Sequence, residues 1–167
     1  MLDPNELFGM AHFCEHMTMV SNEKYPNVNS FEAFLEENGG ETSSFTQRDL
    51  TAFIMDISPL VLSKSLERFA EYFITPPFSG SVIEEVINSI QEKHESLTKS
   101  CYPFSQFDCG NRETLWTQPR AQFIDIREEV MKFYKTNYSA NLMSLGRETL
   151  ESTFESTLNS FLVLYQI

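Results

Sequence analysis

His12, Glu15 and His16 are the residues of this chain whose types and spacing could do chemistry together. Helical geometry has 3.6 residues per turn, so His12 and His16 stand one above the other, with Glu15 beside them. Two imidazoles on one face can share a zinc ion, and a carboxylate next to them can take a proton from a water that the ion activates. Met10, Phe13, Cys14, Met17 and Val20 recur at the spacing of an apolar stripe, which predicts that the opposite face of the same helix is turned to the core.

The rest of the chain must hold that helix and complete its site. Asp3-Pro4-Asn5 is turn chemistry leading into a helix from about Leu7 to Val20, and Tyr25-Pro26-Asn27 breaks it. A second helix is predicted from Ser30 to about Glu37, with Phe31, Phe34 and Leu35 inward and Gly39-Gly40 at its end. Glu41 to Thr46 is polar with one aromatic residue and fits an exposed strand. Leu50 to Ile57 alternates more strongly, and the two segments suggest a hairpin through Gln47-Arg48-Asp49. Ser58-Pro59 opens a third helix, whose stripe is Leu62, Leu66, Phe69 and Phe73 and which Pro76-Pro77 stops. Ser81-Val82-Ile83-Glu84 reads as a capping box for a helix running to about Thr98. Cys101 to Pro119 reads as a packed loop. Ile124 to Thr136 and Arg147 to Tyr165 read as two further helices, with a short Asn141-Leu142-Met143 segment between them. The order predicts a single α+β domain, residues 1–167, with no internal repeat or linker.

A catalytic zinc takes three protein ligands and keeps one position open, so two histidines are one ligand short. The helix from Ser81 offers Glu84, Glu85, Glu92, His94 and Glu95. Its apolar stripe is Ile83, Ile87 and Ile90, and His94 falls on that stripe. Glu85 and Glu92, two turns apart, lie on the opposite face, where one carboxylate can bind metal while the other steadies the ligands. Spacing alone leaves this open, because acidic residues opposite an apolar stripe commonly form a solvated face.

Composition narrows the partners. Twelve basic against 24 acidic residues give a net charge of -12, which repels phosphate backbones and anionic membrane surfaces and argues against nucleic acid or membrane partners. A hydrophobic content of 41 % with 15 Phe supports a folded core. No apolar run approaches membrane-spanning length, and the N-terminus lacks the layout of a secretory signal. Three cysteines, Cys14, Cys101 and Cys109, are too few and irregular for a disulfide framework, which points to a reducing compartment, the cytoplasm or a mitochondrion. Cys14 lies on the apolar face and reads as a small core residue. Cys101 and Cys109 can pair, bind metal or stand as loop thiols.

His-x-x-Glu-His is the inverted order of the His-Glu-x-x-His zinc-peptidase signature. Around it the sequence resembles the insulinase and pitrilysin family of inverzincin metallopeptidases. The likeness runs through Gly9 to Met17, Lys24-Tyr25-Pro26, Phe34-Leu35, Gly39-Gly40, Phe45-Thr46 and Arg68-Phe69-Ala70. It continues with the acidic helix around Glu85 and Glu92, Pro103-Phe104-Ser105, Gly110-Asn111, Ile124 to Glu128 and Asn141-Leu142-Met143. The resemblance implies helices on one face of a mainly antiparallel sheet and a zinc metalloendopeptidase that takes peptide substrates. It implies Glu15 as general base, His12, His16 and Glu92 as zinc ligands, and Glu85 as the supporting carboxylate. Glu92 lies 76 positions after His16, one short of the family's usual separation, which a deletion within Ser79-Gly80-Ser81 would explain. The resemblance further implies that Glu41 to Thr46 is an edge strand holding an extended substrate, with Ser43, Ser44 and Phe45 at the substrate. Phe45 is by default a core residue, and Ser43-Ser44 stands where the family prefers another pair. Eight residues precede Gly9 where relatives carry two or more strands. An incomplete sheet is therefore expected, and with it two outcomes: a peptidase domain, or an inert homologue that binds peptides or a homologous chain completing the chamber.

Overall fold

The computed structural model describes residues 3–4, 6–20, 22–74, 76, 78–99, 109–149 and 160–166, the backbone alone for 97–99, 147–149 and 160–166. Among these residues, four strands form one antiparallel sheet in the order β1-β2-β4-β3: β1 Glu41–Thr46, β2 Thr51–Ile57, β3 Met143–Thr149 and β4 Ser160–Gln166. The expected hairpin is present, pairing Glu41 with Asp56 and Thr46 with Thr51. In β2, Phe53, Met55 and Ile57 are buried on one face, while Ile54 and Asp56 on the other are half-buried. The helices cover that buried face: Phe53 meets Phe73 edge-on at 5.0 Å and Tyr138 at 6.2 Å. The architecture is the expected α+β arrangement.

The motif helix, α1 (Met10–Val20), lies at the centre and is buried on nearly every side, beyond the single stripe its pattern predicts. Met10, Phe13, Cys14 and Met17 join the core, and His12 and Glu15 are buried as well. Its first turn begins three residues later than Leu7. The Asp3 carboxylate accepts hydrogen bonds from the Gly9 and Ala11 amides at 2.6 and 2.8 Å, satisfying donors that the first turn leaves without helical partners. Helix α2 (Ser30–Glu37) buries Phe31, Phe34 and Leu35 as its spacing predicts. Helix α3 (Leu62–Ile74) follows a short turn after Pro59. Arg68 of α3 lies between the rings of Tyr25 and Phe34, 4.4 and 4.3 Å from their centroids, and pins the Tyr25 turn and α2 to α3.

Helix α4 (Gly80–Lys99) spans the predicted range and buries Ile83, Val86, Ile87 and Ile90. Its first turn uses Ser79, whose hydroxyl accepts from the Ser81 amide at 3.4 Å, in place of the Ser81 capping box. Two expectations are corrected. Part of the predicted loop, Glu113–Thr117 and α5 (Gln118–Ala121), is helical, with Leu115 and Pro119 buried; residues 101–108 lie outside the described set. The helix expected from Arg147 to Tyr165 is absent at both ends, which are strands β3 and β4; residues 150–159 lie outside the described set. Phe161-Leu162-Val163-Leu164-Tyr165 is a short apolar run that periodicity cannot assign, and pairing with β2 decides it in favour of the strand. Helix α6 (Ile126–Asn137) is capped by Asp125, whose side chain accepts from the Arg127 and Glu128 amides. Among the described residues, no helix is long and apolar enough to cross a membrane.

Candidate metal centre

One helical turn brings the two imidazoles together as their spacing requires. The Nε2 atoms of His12 and His16 are 3.1 Å apart, and the rings meet edge to face with centroids 4.7 Å apart. Nitrogens bound to one tetrahedral zinc at about 2.0–2.1 Å would stand roughly 3.3 Å apart, so the pair fits two of the metal's ligand positions. His12 Nδ1 is 2.8 Å from the main-chain carbonyl of Cys109. A carbonyl only accepts, so Nδ1 carries the hydrogen and Nε2 is left with its lone pair, the form a metal ligand needs.

Burial drives the electrostatics of the pair. It lowers the His12 pKa, against the opposing pull of the Cys109 carbonyl and the Glu15 carboxylate. His16 is pushed down to about 3, first by burial and then by His12 and the Lys93 ammonium. Both rings are neutral at pH 7. Glu15, 1 % exposed, accepts a hydrogen bond from the Thr46 hydroxyl at its Oε2. That hydroxyl is also 3.1 Å from Thr51 Oγ1, so the carboxylate is tethered to the β1–β2 hairpin.

The third ligand is not assembled. Glu85 and Glu92 are exposed on α4, and among the described residues no group of three His, Cys, Asp or Glu side chains gathers to hold a metal. α4 instead sends Lys93 Nζ to 3.3 Å from His12 Nε2. Helical phase separates the two: positions 92 and 93 are about 100° apart, and although both residues are exposed it is the Lys93 side chain that reaches His12. His94, beside the stripe, is half-buried. Of the three expected ligands, His12 and His16 therefore stand together and Glu92 stands apart from them.

On β1, Ser43 is exposed and Ser44 half-buried, while Phe45 is 37 % exposed, which corrects its default place in the core. The side of β1 away from β2 has no strand paired to it among the described residues. An apolar groove of about 350 Å³, lined by Leu66, Phe69, Phe73, Ile74, Met143 and Leu145, lies between α3 and β3 and includes no residue of α1. Asp3, Thr46, Lys93 and the Cys109 carbonyl escape the reading of side-chain motifs. Thr46 belongs to a quoted motif, and Lys93 follows the expected ligand. A main-chain carbonyl has no signature of its own.

Residues 1–106 match the family described as Insulinase (Peptidase family M16). Insulin-degrading enzyme of Bos taurus is 38 % identical over 167 residues, covering 89 % of this chain and 16 % of that protein. The A-factor-processing enzyme of Saccharomyces cerevisiae is 33 % identical over 177 residues, covering 95 % of this chain and 17 % of that one. The crystal structure of pitrilysin superposes with a TM-score of 0.72 at 27 % identity, over 84 % of this chain and 16 % of that chain. The chain spans about a sixth of the length of these relatives. With the His-x-x-Glu-His helix, the edge-strand hairpin and this extent of identity together, the chain belongs to the insulinase (M16) family of peptidases.

Proposed function

We propose that this chain is the zinc-binding part of a metalloendopeptidase that hydrolyses extended peptides, a single partial domain working in the cytoplasm. The observation that supports it is the convergence of two neutral imidazoles beside a buried carboxylate that is tied to an open strand edge. His12 and His16 would hold the zinc, with Glu92 as third ligand and Glu85 behind it. Bound zinc supplies Lewis acidity toward a peptide carbonyl. Glu92 adjoins Lys93 in α4, so in this reading Lys93 gives up its place at His12 when the carboxylate joins.

This chain's own residues do the rest. An extended peptide adds to the edge of β1 that no described strand pairs with, where main-chain hydrogen bonds give affinity without much demand on sequence, and Ser43, Ser44 and Phe45 border it. Glu15 takes the proton of the attacking water and passes it to the leaving amine. Thr46, one hydrogen bond from Glu15, holds one carboxylate oxygen and leaves the other for the water.

A second reading follows from Lys93. An ammonium 3.3 Å from His12 stands where a cation would bind, which favours an inert homologue that binds peptides or a homologous chain. One experiment separates the two: zinc content, and cleavage of a quenched fluorogenic peptide, for the wild type and Glu15→Gln. Near one zinc per chain with glutamate-dependent turnover supports the peptidase. Zinc uptake without such turnover supports the inert homologue.

A further inference from the structure

His12 is oriented by a group 97 residues away in sequence. Three features seat that group. First, Gly9 (φ +88°) and Gly110 (φ +67°) press backbone to backbone. A Cβ on Gly110 would lie 2.9 Å from both the Gly9 Cα and the Phe8 carbonyl. Second, the Thr114 hydroxyl donates to the Phe8 carbonyl at 2.9 Å, reaching across to the chain two residues before the start of α1. Third, the 111–114 turn is closed on itself, the Thr114 amide donating to Asn111 Oδ1 at 3.0 Å and the Asn111 amide to Thr114 Oγ1 at 3.1 Å. The same segment is fastened to α4: the Arg112 amide donates to Gln91 Oε1 at 3.0 Å, and the Arg112 guanidinium reaches Glu84 at 2.9 Å.

We infer that the Cys109 carbonyl, seated by the Gly9–Gly110 contact and the Thr114–Phe8 hydrogen bond, is the positioning group of His12. It holds the ring as its Nδ1–H tautomer and aims the Nε2 lone pair at the space His12 shares with His16. The metal-binding face of α1 is therefore built from two stretches of chain. The sequence motif alone presents a histidine free to take either tautomer and to turn about its own side-chain bonds. Carbonyl and carboxylate partners of this kind typically change metal affinity 10- to 100-fold. The inference rests on the reading of His12 as a zinc ligand, but its structural half, the tautomer, is measurable without metal.

The test is histidine-selective ¹⁵N NMR of the whole chain, metal-free, with zinc titrated afterwards. Three histidines keep the spectrum assignable. The wild type is expected to show His12 as the Nδ1–H tautomer. Thr114→Val keeps the side-chain volume but removes the donor; it is expected to mix the tautomers and weaken zinc binding 10- to 100-fold. Thr114→Ser restores the hydroxyl and is expected to restore both. A wild-type His12 in the Nε2–H form overturns the inference, even if every variant fails to fold. So does a folded Thr114→Val protein with tautomer and zinc affinity unchanged. A wild type that shows the Nδ1–H tautomer yet takes up no zinc supports the carbonyl assignment and overturns the metal-site reading alone.

Discussion

Gly9 and Gly39 make a controlled comparison, because both have positive φ and only one is crowded. Gly39 ends α2 at φ +70°, and a Cβ there would meet nothing within 4 Å, so Gly39→Ala tests the backbone conformation alone. An L-residue held in the left-handed region costs roughly 1–2 kcal/mol, partly offset by the stiffer unfolded chain that alanine gives. Gly9→Ala carries that cost at φ +88° and a collision besides. Its Cβ would stand 2.3 Å from the Gly110 Cα and 2.5 Å from the Gly110 nitrogen. Carbon atoms rest at about 3.5–4.0 Å, so the two segments must part by more than about 1 Å, and backbone atoms cannot swing aside as a side-chain end would. Overpacking of this kind adds roughly 1–3 kcal/mol. The expected difference between the variants is therefore about 2 kcal/mol, roughly a 30-fold change in the unfolding equilibrium. Urea denaturation followed by circular dichroism reads it directly. With a slope of about 2 kcal/mol per molar, the Gly9→Ala midpoint falls about 1 M further than that of Gly39→Ala. Equal midpoints for the two variants would refute the close packing of residues 109–110 on the start of α1.

Four further outcomes are expected. Glu15→Gln should abolish peptide hydrolysis while leaving zinc uptake near the wild-type level, as metal analysis and the fluorogenic assay would show. Thr46→Val should lower kcat by about 10-fold or more with KM little changed, and Thr46→Ser should recover most of it, since the hydroxyl holds Glu15 rather than substrate. Glu92→Gln should weaken zinc binding far more than Glu95→Gln, and Lys93→Gln should strengthen it; calorimetric titration giving equal affinities for the two glutamate variants would remove Glu92 from the ligand set. In metal-free protein, His16 is held near a pKa of about 3, below its unfolded value of about 6.5, so between those limits the unfolded chain binds the extra proton. Stability is therefore lost as pH falls through that window, at up to about 1.4 kcal/mol per pH unit, and His16→Gln should flatten the slope seen in urea titrations at successive pH values.

What could be read from the sequence was local and periodic. The spacing of Ile83, Ile87 and Ile90 placed the buried stripe of α4, and alternation from Thr51 to Ile57 placed β2 with its apolar side inward. Gly39-Gly40 marked the end of α2, whereas Ser58-Pro59, read as the cap and first turn of the third helix, forms a turn and α3 begins only at Leu62. The last strand was illegible for a physical reason: the run from Phe161 to Tyr165 is equally apolar in either periodicity, and only the distant partner β2 makes it extended. The site divides the same way. His12, His16 and Glu15 follow from one helical turn, whereas the phase of α4 against α1, which brings Lys93 rather than Glu92 to His12, depends on how two helices pack. Thr46 and the Cys109 carbonyl belong to tertiary structure in the same sense, since each meets its partner only once the hairpin and the 109–114 segment have docked.

The place of β4 in the sheet has a consequence for biosynthesis. Thr51 pairs with Gln166 and Ile57 with Ser160, so a strand made early waits for one made more than 100 residues later. At about 5–20 residues per second, a nascent chain carries β2 with one side open for on the order of ten seconds. In that interval an apolar Phe53-Ile54-Met55 edge is available to any other growing chain nearby, the hazard that unpaired edges present. Yield in cells should therefore respond to translation speed and to chaperones that hold emerging chains, more than the stability of the finished protein would suggest.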